Sequence, residues 1–372
     1  MGEPIRVLHI VGNMSAGGME SLIMNWYRNI DRDKIQFDFL VHSKSEAFYE
    51  SEIIALGGKV YHLSFSDDKK ALKYIQDLNC FFNTHKEYKI VHGHHAAFGC
   101  FYLSAAKNAG VPFRIAHSHN GDFSRTLRGV IVHLLSRCYK YPSNIKFACS
   151  AVAGNYMFGK NATFSIINNG IDTQRFAFSE ADREMMRECL GINGKTVLVH
   201  VGRFHDQKNH TFLIDVFEEV HNRINDSVLL LIGTGPLQTE IKTKVDSKGL
   251  SESVMFLNNR NDVEKILCAS DVFVFPSLYE GLPLTLVEAQ TSGLPIICSD
   301  KITAETKLAD HYYSLSLNDS AHRWADEVIK VLTIQYDRKL EYLQVMNQGY
   351  DTHDVATRMQ KIYEDMYAKA VK

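Results

Sequence analysis

The chain has 372 residues, 45% of them hydrophobic and 23% charged, and its 41 basic and 43 acidic side chains leave a net charge of −2. The length suits two or three domains and the apolar share suits real cores. The near balance of charge argues against a nucleic-acid binder and against a polyacidic tail protein.

No apolar run approaches the roughly 18 residues that span a bilayer, and the chain starts straight into a strand-like segment with no leader pattern. The seven cysteines are scattered, without a CxxC pair, and read as reduced thiols rather than as a zinc site. The expectation is a soluble, cytoplasmic protein. In chain order, strand-like apolar runs fall at 6–11, 37–42, 59–63, 89–92, 113–116 and 146–148, with helical patterns between them at 20–29, 70–82 and 97–109. Runs such as VLHIV and FDFLV suit strands buried on both faces, and their alternation with helices reads as βαβ units.

The pattern then restarts. A connection at 168–195 carries one short helix, and a second series of strands follows at 197–201, 228–232, 254–256, 272–275, 295–298 and 313–315. This predicts two doubly wound domains, residues 1–190 and 191–350, followed by a polar-rich helix at 352–371. In such sheets ligands sit at the C-terminal ends of strands, so two facing sheets would make an interdomain cleft. The informative residues should therefore come just after strands.

Three segments meet that condition. GNMSAGGMES places Gly17 and Gly18 where a helix opens after the first strand. The free N–H groups there would suit an anion or a sugar hydroxyl, although a flexible turn explains the glycines equally well. VGRFHDQKNH sets Arg203 and Lys208 five residues apart after the first strand of the second domain. The pair is either a diphosphate clamp or two solvated cations. DVFVFPSLYEGLPLTLVEAQTSGLPIICSD is the most specific. It places Glu280 in a loop, Pro283 in the first helical turn and Glu288 in the second, with the 281–285 amides between two carboxylates suited to vicinal hydroxyls. VHGHHAA and AHSHNGD bring five histidines to strand ends, including His117 and His119. With no matching carboxylate or cysteine set, they suit contact with a sugar hydroxyl better than metal. GTGP at 233–236 reads as a tight turn.

Taken together, VGRF…QKN, the Glu280-x7-Glu288 pair within S-x-x-E-G-L-P and the following GLPII resemble the retaining GT-B glycosyltransferases of family four. The likeness extends over almost the whole chain and is similar to the exopolysaccharide glycosyltransferases of the EpsF type. It implies that Arg203 and Lys208 bind the donor diphosphate, that Glu288 holds the ribose hydroxyls, and that Glu280 contacts the sugar, helped by the amides of Gly281, Leu282 and Pro283. Gly17 and Gly18 would approach the diphosphate or acceptor, and residues 257–261, with Asn259 and Arg260, would lie against the base. His119, or His117 if the alignment slips by two, would face the anomeric carbon.

The same resemblance implies a metal-independent transfer, with no cofactor, of a hexose or N-acetylhexosamine from a nucleotide sugar, probably UDP-linked, to a polysaccharide or lipid-linked oligosaccharide acceptor. It also implies that the last helix crosses back to the first domain. A UDP-sugar 2-epimerase on the same scaffold and a catalytically silent partner are the alternatives, and the intact Arg203, Lys208, Glu280 and Glu288 count against both. A dinucleotide oxidoreductase would need GxGxxG, which neither domain has.

Charge is uneven along the chain, at +4 over residues 1–190 and −6 over 191–372. Part of the basic excess lies in 124–141, whose apolar centre and cationic ends suit peripheral contact with an anionic membrane, a core helix with exposed ends, or both.

Overall fold

A computed structural model of the chain describes residues 3–15, 18–63, 71–119 and 134–371. They form two compact units, one of residues 1–170 with 351–372 and the other of residues 171–350. Each unit is built on one parallel sheet.

In the first unit the strands are β1 (Ile5–Val11), β2 (Ile35–Val41), β3 (Val60–His62), β4 (Ile90–Gly93), β5 (Phe113–Ser118), β6 (Ile145–Ala148) and β7 (Ser165–Ile166). Their order is β3-β2-β1-β4-β5-β6-β7. The second unit has β8 (Thr196–Val201), β9 (Ser227–Ile232), β10 (Val254–Asn258), β11 (Val272–Phe275), β12 (Ile296–Ser299) and β13 (Tyr312–Leu315), ordered β10-β9-β8-β11-β12-β13. Every recorded strand pair is parallel. The apolar strand runs follow from this arrangement, because helices cover both faces of each sheet. Val7 and Val11 of β1 pack with Trp26 and Tyr363, whereas Leu8 and Ile10 pack with Tyr102 and Leu103 on the other face. Predicted strand limits agree with the observed ones to within about two residues, and β7 went unpredicted.

The boundary between units needs correction. Residues 171–190, assigned from sequence to the first domain, belong to the second unit. Phe176 and Met186 are buried in its core. The helix Glu180–Leu190 is also tied to the start of β11, where Arg183 and Arg187 reach the two carboxylate oxygens of Asp271 at 2.6 and 2.8 Å. The terminal helix Thr352–Ala370 is part of the first unit, with Val355, Met359, Tyr363 and Met366 in the core there. Asp351 caps it, accepting from the amides of His353 and Asp354. Among the described residues no helix is long and apolar enough to cross a membrane.

In both sheets strand order reverses once, between β1 and β4 and between β8 and β11. At such a switch point the loops leaving neighbouring strands turn to opposite faces and open a crevice at the strand ends.

Asp271 pairs with two guanidinium groups at a half-buried position, so removing its carboxylate takes the counter-ion from both and leaves them only backbone carbonyls. Asp271→Ala should destabilise the second unit by about 2–4 kcal/mol, measured by urea unfolding followed through Trp324. An unchanged midpoint would show that the two ion pairs do not hold this helix.

Candidate functional site

The reversal between β8 and β11 assembles the second unit's candidate site. Leaving β8, Arg203 is exposed and its side chain has no hydrogen bond or ion pair among the described residues. Phe204 is buried and stacks on His210 with ring centroids 4.2 Å apart. One turn of 3₁₀ helix, Asp206–Lys208, then leads through Asn209, at φ 53°, into the helix His210–His221. Leaving β11, the loop carries Glu280 back against this turn. Lys208 Nζ lies 2.6 Å from Glu280 Oε1, and Gln207 Nε2 donates to Glu280 Oε2 at 3.1 Å and to the Tyr279 carbonyl at 2.9 Å. The Leu278 amide closes the contact by donating to the Gln207 carbonyl at 2.8 Å. Lys208 also lies 4.6 Å from the centre of the Phe275 ring.

Glu288 lies on the helix Leu284–Thr291, which Pro283 precedes as N-cap. Proline has no N–H, so the expected Pro283 amide donor is absent. The free donors at this end are the amides of Leu284 and Thr285, beside those of Gly281 and Leu282. A Cβ added at Gly281 would meet no atom within 4 Å, so the glycine leaves open space beside Glu280. The Glu288 carboxylate makes no hydrogen bond or ion pair among the described residues. Burial pushes it up to about 7, outweighing the nearby Arg175 and reinforced by Glu264. The hydroxyls of Ser277 and Thr285, on either side of Glu280 in sequence, are buried and have no hydrogen-bond partner among the described residues.

The segment expected against the base begins in strand β10. Asn258 has φ 54° and accepts from the Gly233 amide at 2.8 Å. Asn259 is exposed, its Oδ1 3.4 Å from Thr234 Oγ1. Arg260 is bound in two-pronged fashion to Asp262, at 2.8 and 2.6 Å, and so is already paired.

In the first unit, Gly18 opens the helix Gly18–Asn29 at an exposed position with nothing near its missing Cβ, so packing there makes no demand for glycine. Gly17 lies outside the described residues, as do 124–133 of the basic segment. The described remainder of that segment exposes Leu134, Leu135 and Tyr141.

The histidines form a ladder. His9 of β1 lies opposite His92 of β4. His9 Nδ1 is 3.0 Å from His94 Nε2, and His94 Nδ1 is 2.9 Å from His119 Nε2. His92 joins His117 Nδ1 through Nε2 at 3.0 Å and the Tyr363 hydroxyl through Nδ1 at 2.6 Å. His117 is fully buried within β5, whereas His119, just past its end, keeps some surface. Nitrogens of His94, His117 and His119 all lie within 4.8 Å of one another. Burial lowers the pKa of every ring, His9 to about 3, His119 to about 4, and His92, His94 and His117 well below 6.5.

Two family matches cover most of the chain, Glycosyltransferase Family 4 over residues 16–175 and Glycosyl transferases group 1 over residues 182–347. A Bacillus subtilis (strain 168) protein described as the glycosyltransferase EpsF is 31% identical over 368 residues, covering 96% of each chain. The chain belongs to glycosyltransferase family 4. An Escherichia coli UDP-Gal:alpha-D-GlcNAc-diphosphoundecaprenol alpha-1,3-galactosyltransferase is 30% identical over 77% of this chain and 76% of its own. Among solved structures, Anabaena HepE in complex with UDP superposes with a TM-score of 0.80 at 16% identity, covering 97% of this chain and 100% of its own. The lipopolysaccharide glycosyltransferase WaaG gives a TM-score of 0.70 at 16% identity, covering 96% and 99%. The protein is therefore a transferase enzyme with the GT-B fold.

Sequence reasoning missed several residues of this transferase. Gln207 holds the Glu280 loop. Arg175 binds both the Asn261 carbonyl, at 2.6 Å, and Glu264, at 2.9 Å, and is the cation nearest in effect to Glu288. The GTGP segment does more than turn the chain. A Cβ on Gly233, at φ 132°, would sit 2.2 Å from the Gly202 carbonyl oxygen, and one on Gly235 would sit 2.4 Å from that of Phe204. Two glycines thus let this turn back directly onto the loop that carries Arg203. Paired glycines after a strand were the available signal.

The ladder makes the first unit acid-sensitive. Unfolded histidines titrate near 6.5, whereas these folded ones stay neutral far lower. Below pH 6.5 the unfolded chain therefore binds protons that the folded chain refuses, and stability falls as pH falls. Each ring costs about 1 kcal/mol between pH 6.5 and 5.5, and five rings together cost about as much as a typical domain's whole stability. In a Trp324→Phe variant, fluorescence of Trp26, which stacks on His92 and His117, should report unfolding of this unit by about pH 5. A midpoint independent of pH from 7 to 5 would show that the rings are not neutral in the fold.

Proposed function

We propose that the enzyme transfers a hexose or N-acetylhexosamine, with retention and without a metal ion, from a UDP-linked donor to a lipid-linked oligosaccharide or growing polysaccharide. The observation that carries this is the meeting of Lys208 and Glu280 at the β8/β11 switch point, with an unpaired Arg203 on the same loop as Lys208. Supporting it, HepE is solved with UDP, and similar proteins include the E. coli galactosyltransferase and the Staphylococcus aureus capsular polysaccharide biosynthesis glycosyltransferase CapH, 24% identical over 88% of this chain.

The chemistry follows from charge. As the C1–O bond to the diphosphate breaks, negative charge grows on the leaving oxygen. Arg203, Lys208 and the free amides at the Leu284–Thr291 helix start stabilise it, the task a divalent ion performs elsewhere. The acceptor hydroxyl forms its new bond to C1 on the face the phosphate leaves, and its proton passes to the leaving phosphate oxygen. Glu280 fixes a donor-sugar hydroxyl and Glu288 the ribose diol. Asn259 stays available to the base, and Arg260 reaches it only by releasing Asp262. His119, rather than the enclosed His117, faces the sugar. Gly17 and Gly18 approach the acceptor or diphosphate. The basic segment 124–141 rests on anionic lipid and presents the lipid-linked acceptor at the cytoplasmic face.

A panel of nucleotide sugars with a lipid-linked acceptor tests the transfer. A UDP-sugar should be turned over equally with and without EDTA, giving UDP and a glycan with the donor's anomeric configuration. Release of an epimerised UDP-sugar, or binding of no nucleotide sugar, would refute the reading. Lys208→Ala and Glu288→Ala should each weaken donor binding about ten- to a hundredfold with the fold intact. Normal turnover in both would displace the site.

Because a ribose diol donates to the ionised form, donor binding should strengthen as pH rises from 5.5 to 7.5, approaching tenfold per unit below about 7. Glu288→Gln should abolish that component, and an unchanged profile would remove Glu288 from the site. For the membrane contact, changing Arg125, Arg128 and Arg137 together to alanine should weaken flotation with anionic vesicles. Equal flotation would end that part of the proposal.

A further inference from the structure

The glycine before Arg203 supports an inference that rests on the reading of Lys208 as a donor-diphosphate contact. Gly202 lies outside the left-handed region of φ, so its backbone makes no demand for glycine. Space does. A Cβ there would sit 2.9 Å from His200 Nε2, 3.1 Å from Lys208 Cδ and 3.2 Å from Lys208 Cε. The outer stem of the lysine and one edge of the imidazole therefore share a small volume over the Gly202 backbone. Glycine is the residue that leaves both in place.

His200 is held in one protonation form. It is fully buried near the end of β8. The last registered pair of β8 and β11 is Val199 with Phe273, and one position further on His200 Nδ1 lies 2.9 Å from the Val274 carbonyl oxygen. A carbonyl only accepts, so Nδ1 carries the hydrogen. Burial, then the neighbouring His210, lower the pKa of His200 well below 6.5 against the pull of that carbonyl, and the Lys208 charge lowers it further. The ring is therefore neutral, and Nε2 is a lone pair. That atom is buried and has no hydrogen-bond partner among the described residues. Neighbouring rings fix its direction, Phe275 stacked at 5.4 Å and His210 edge-on at 4.8 Å between centroids.

A bare buried acceptor costs about 1–3 kcal/mol, and what runs beside this one is the positive end of Lys208. The ammonium lies 2.6 Å from Glu280 Oε1 and 4.6 Å from the centre of the Phe275 ring. Its charge spreads onto the adjoining Cε, the atom that shares the Gly202 volume with His200 Nε2. We propose that His200 is a positioning residue for Lys208: the negative end of its neutral ring, aimed by the Val274 carbonyl, holds the lysine end at the β8/β11 switch point, where a diphosphate would arrive. His200 and Phe275 attract the cation through a dipole and a ring face, without a negative charge of their own. They therefore place the ammonium without neutralising it, and they keep it in place when Glu280 turns to a donor sugar. A carboxylate in the position of His200 would compete with the diphosphate, and an imidazolium would repel the lysine.

The test is UDP binding to the full chain, measured by calorimetry at pH 7.5. His200→Asn keeps an amide N–H for the Val274 carbonyl but ends short of the Nε2 position, so the strand bridge stays and the lone pair goes. It should weaken UDP binding about three- to tenfold, and in a Lys208→Ala background the same change should cost nothing further. Gly202→Ala drives a Cβ between ring and stem and should show a loss with the same dependence on Lys208. It decides alone if His200→Asn fails to fold. In a two-bond proton–nitrogen NMR spectrum of the chain labelled with ¹⁵N-histidine, the signal missing from His200→Asn should be that of a neutral Nδ1–H ring. Wild-type affinity in the folded variants, a loss that adds in full to that of Lys208→Ala, or an Nε2–H or doubly protonated His200 would overturn the proposal while leaving Lys208 in the site. No UDP binding by the wild type, or unchanged binding in Lys208→Ala, would refute the diphosphate reading and this proposal with it.

Discussion

The arrangement depends on the pairing of β8 with β11. Sequence neighbours in a parallel sheet normally lie side by side, joined by a crossover helix. Here β9 does lie on one side of β8, but the strand on its other side comes more than seventy residues later, with Val272 registered against Leu198 and Phe273 against Val199. Loops leaving the two strands depart from adjacent positions toward opposite faces, so residues distant in sequence meet over the strand ends. Lys208 and Glu280 are seventy-two positions apart and in contact for that reason. The same reversal between β1 and β4 brings His9 opposite His92.

What meets at the two reversals differs in kind. In the second unit it is charge. Lys208 and Glu280 are mostly buried, with 16% and 9% of their side chains exposed, and taking both out of water costs several kcal/mol that their attraction only partly returns. An ion pair kept at such a cost in a loop, where apolar packing would serve stability as well, suits a function that uses the ions. Gln207 fixes the second oxygen of Glu280, so the carboxylate is oriented before any ligand arrives. Glu288, one turn into the helix that follows, is left near its midpoint and makes no hydrogen bond or ion pair among the described residues, as suits a group whose partner comes from solution.

Much of this was legible in the sequence, and the rest was hidden for physical reasons. Strand and helix periods are local, so elements and their limits emerged directly. Glycine and proline around Glu280 are local too, and they marked the loop. Pro283 was misread in one respect, because its fixed φ suits a helix start but its missing N–H removes the donor assigned to it. Residues 171–190 were placed in the wrong unit because a short helix carries no sign of which core it will cover, and the two arginines that answer the question need Asp271, over eighty residues away. Gln207 and Arg175 were invisible for the same reason, since each works through a partner that only the fold supplies. The histidines read from sequence as sugar contacts, whereas their bonding to one another is hidden there, because it depends on which ring touches which.

That last point sharpens the contrast between the units. A cluster of five imidazoles would be expected to hold charge, yet burial against Trp26, Phe37 and Tyr363 makes a proton there so unfavourable that the rings stay neutral far below their ordinary range. Neutral rings still hydrogen-bond, here mostly to one another, and the His92–Tyr363 bond ties the first sheet's strands to the terminal helix. The first unit's strand ends therefore offer direction without charge, and the second unit's offer charge held in a fixed direction. A nucleotide diphosphate needs the latter and a neutral hydroxyl needs the former. The net charges of the two halves of the sequence, +4 and −6, do not locate this division, because a total says nothing of which charges the fold gathers at one strand end.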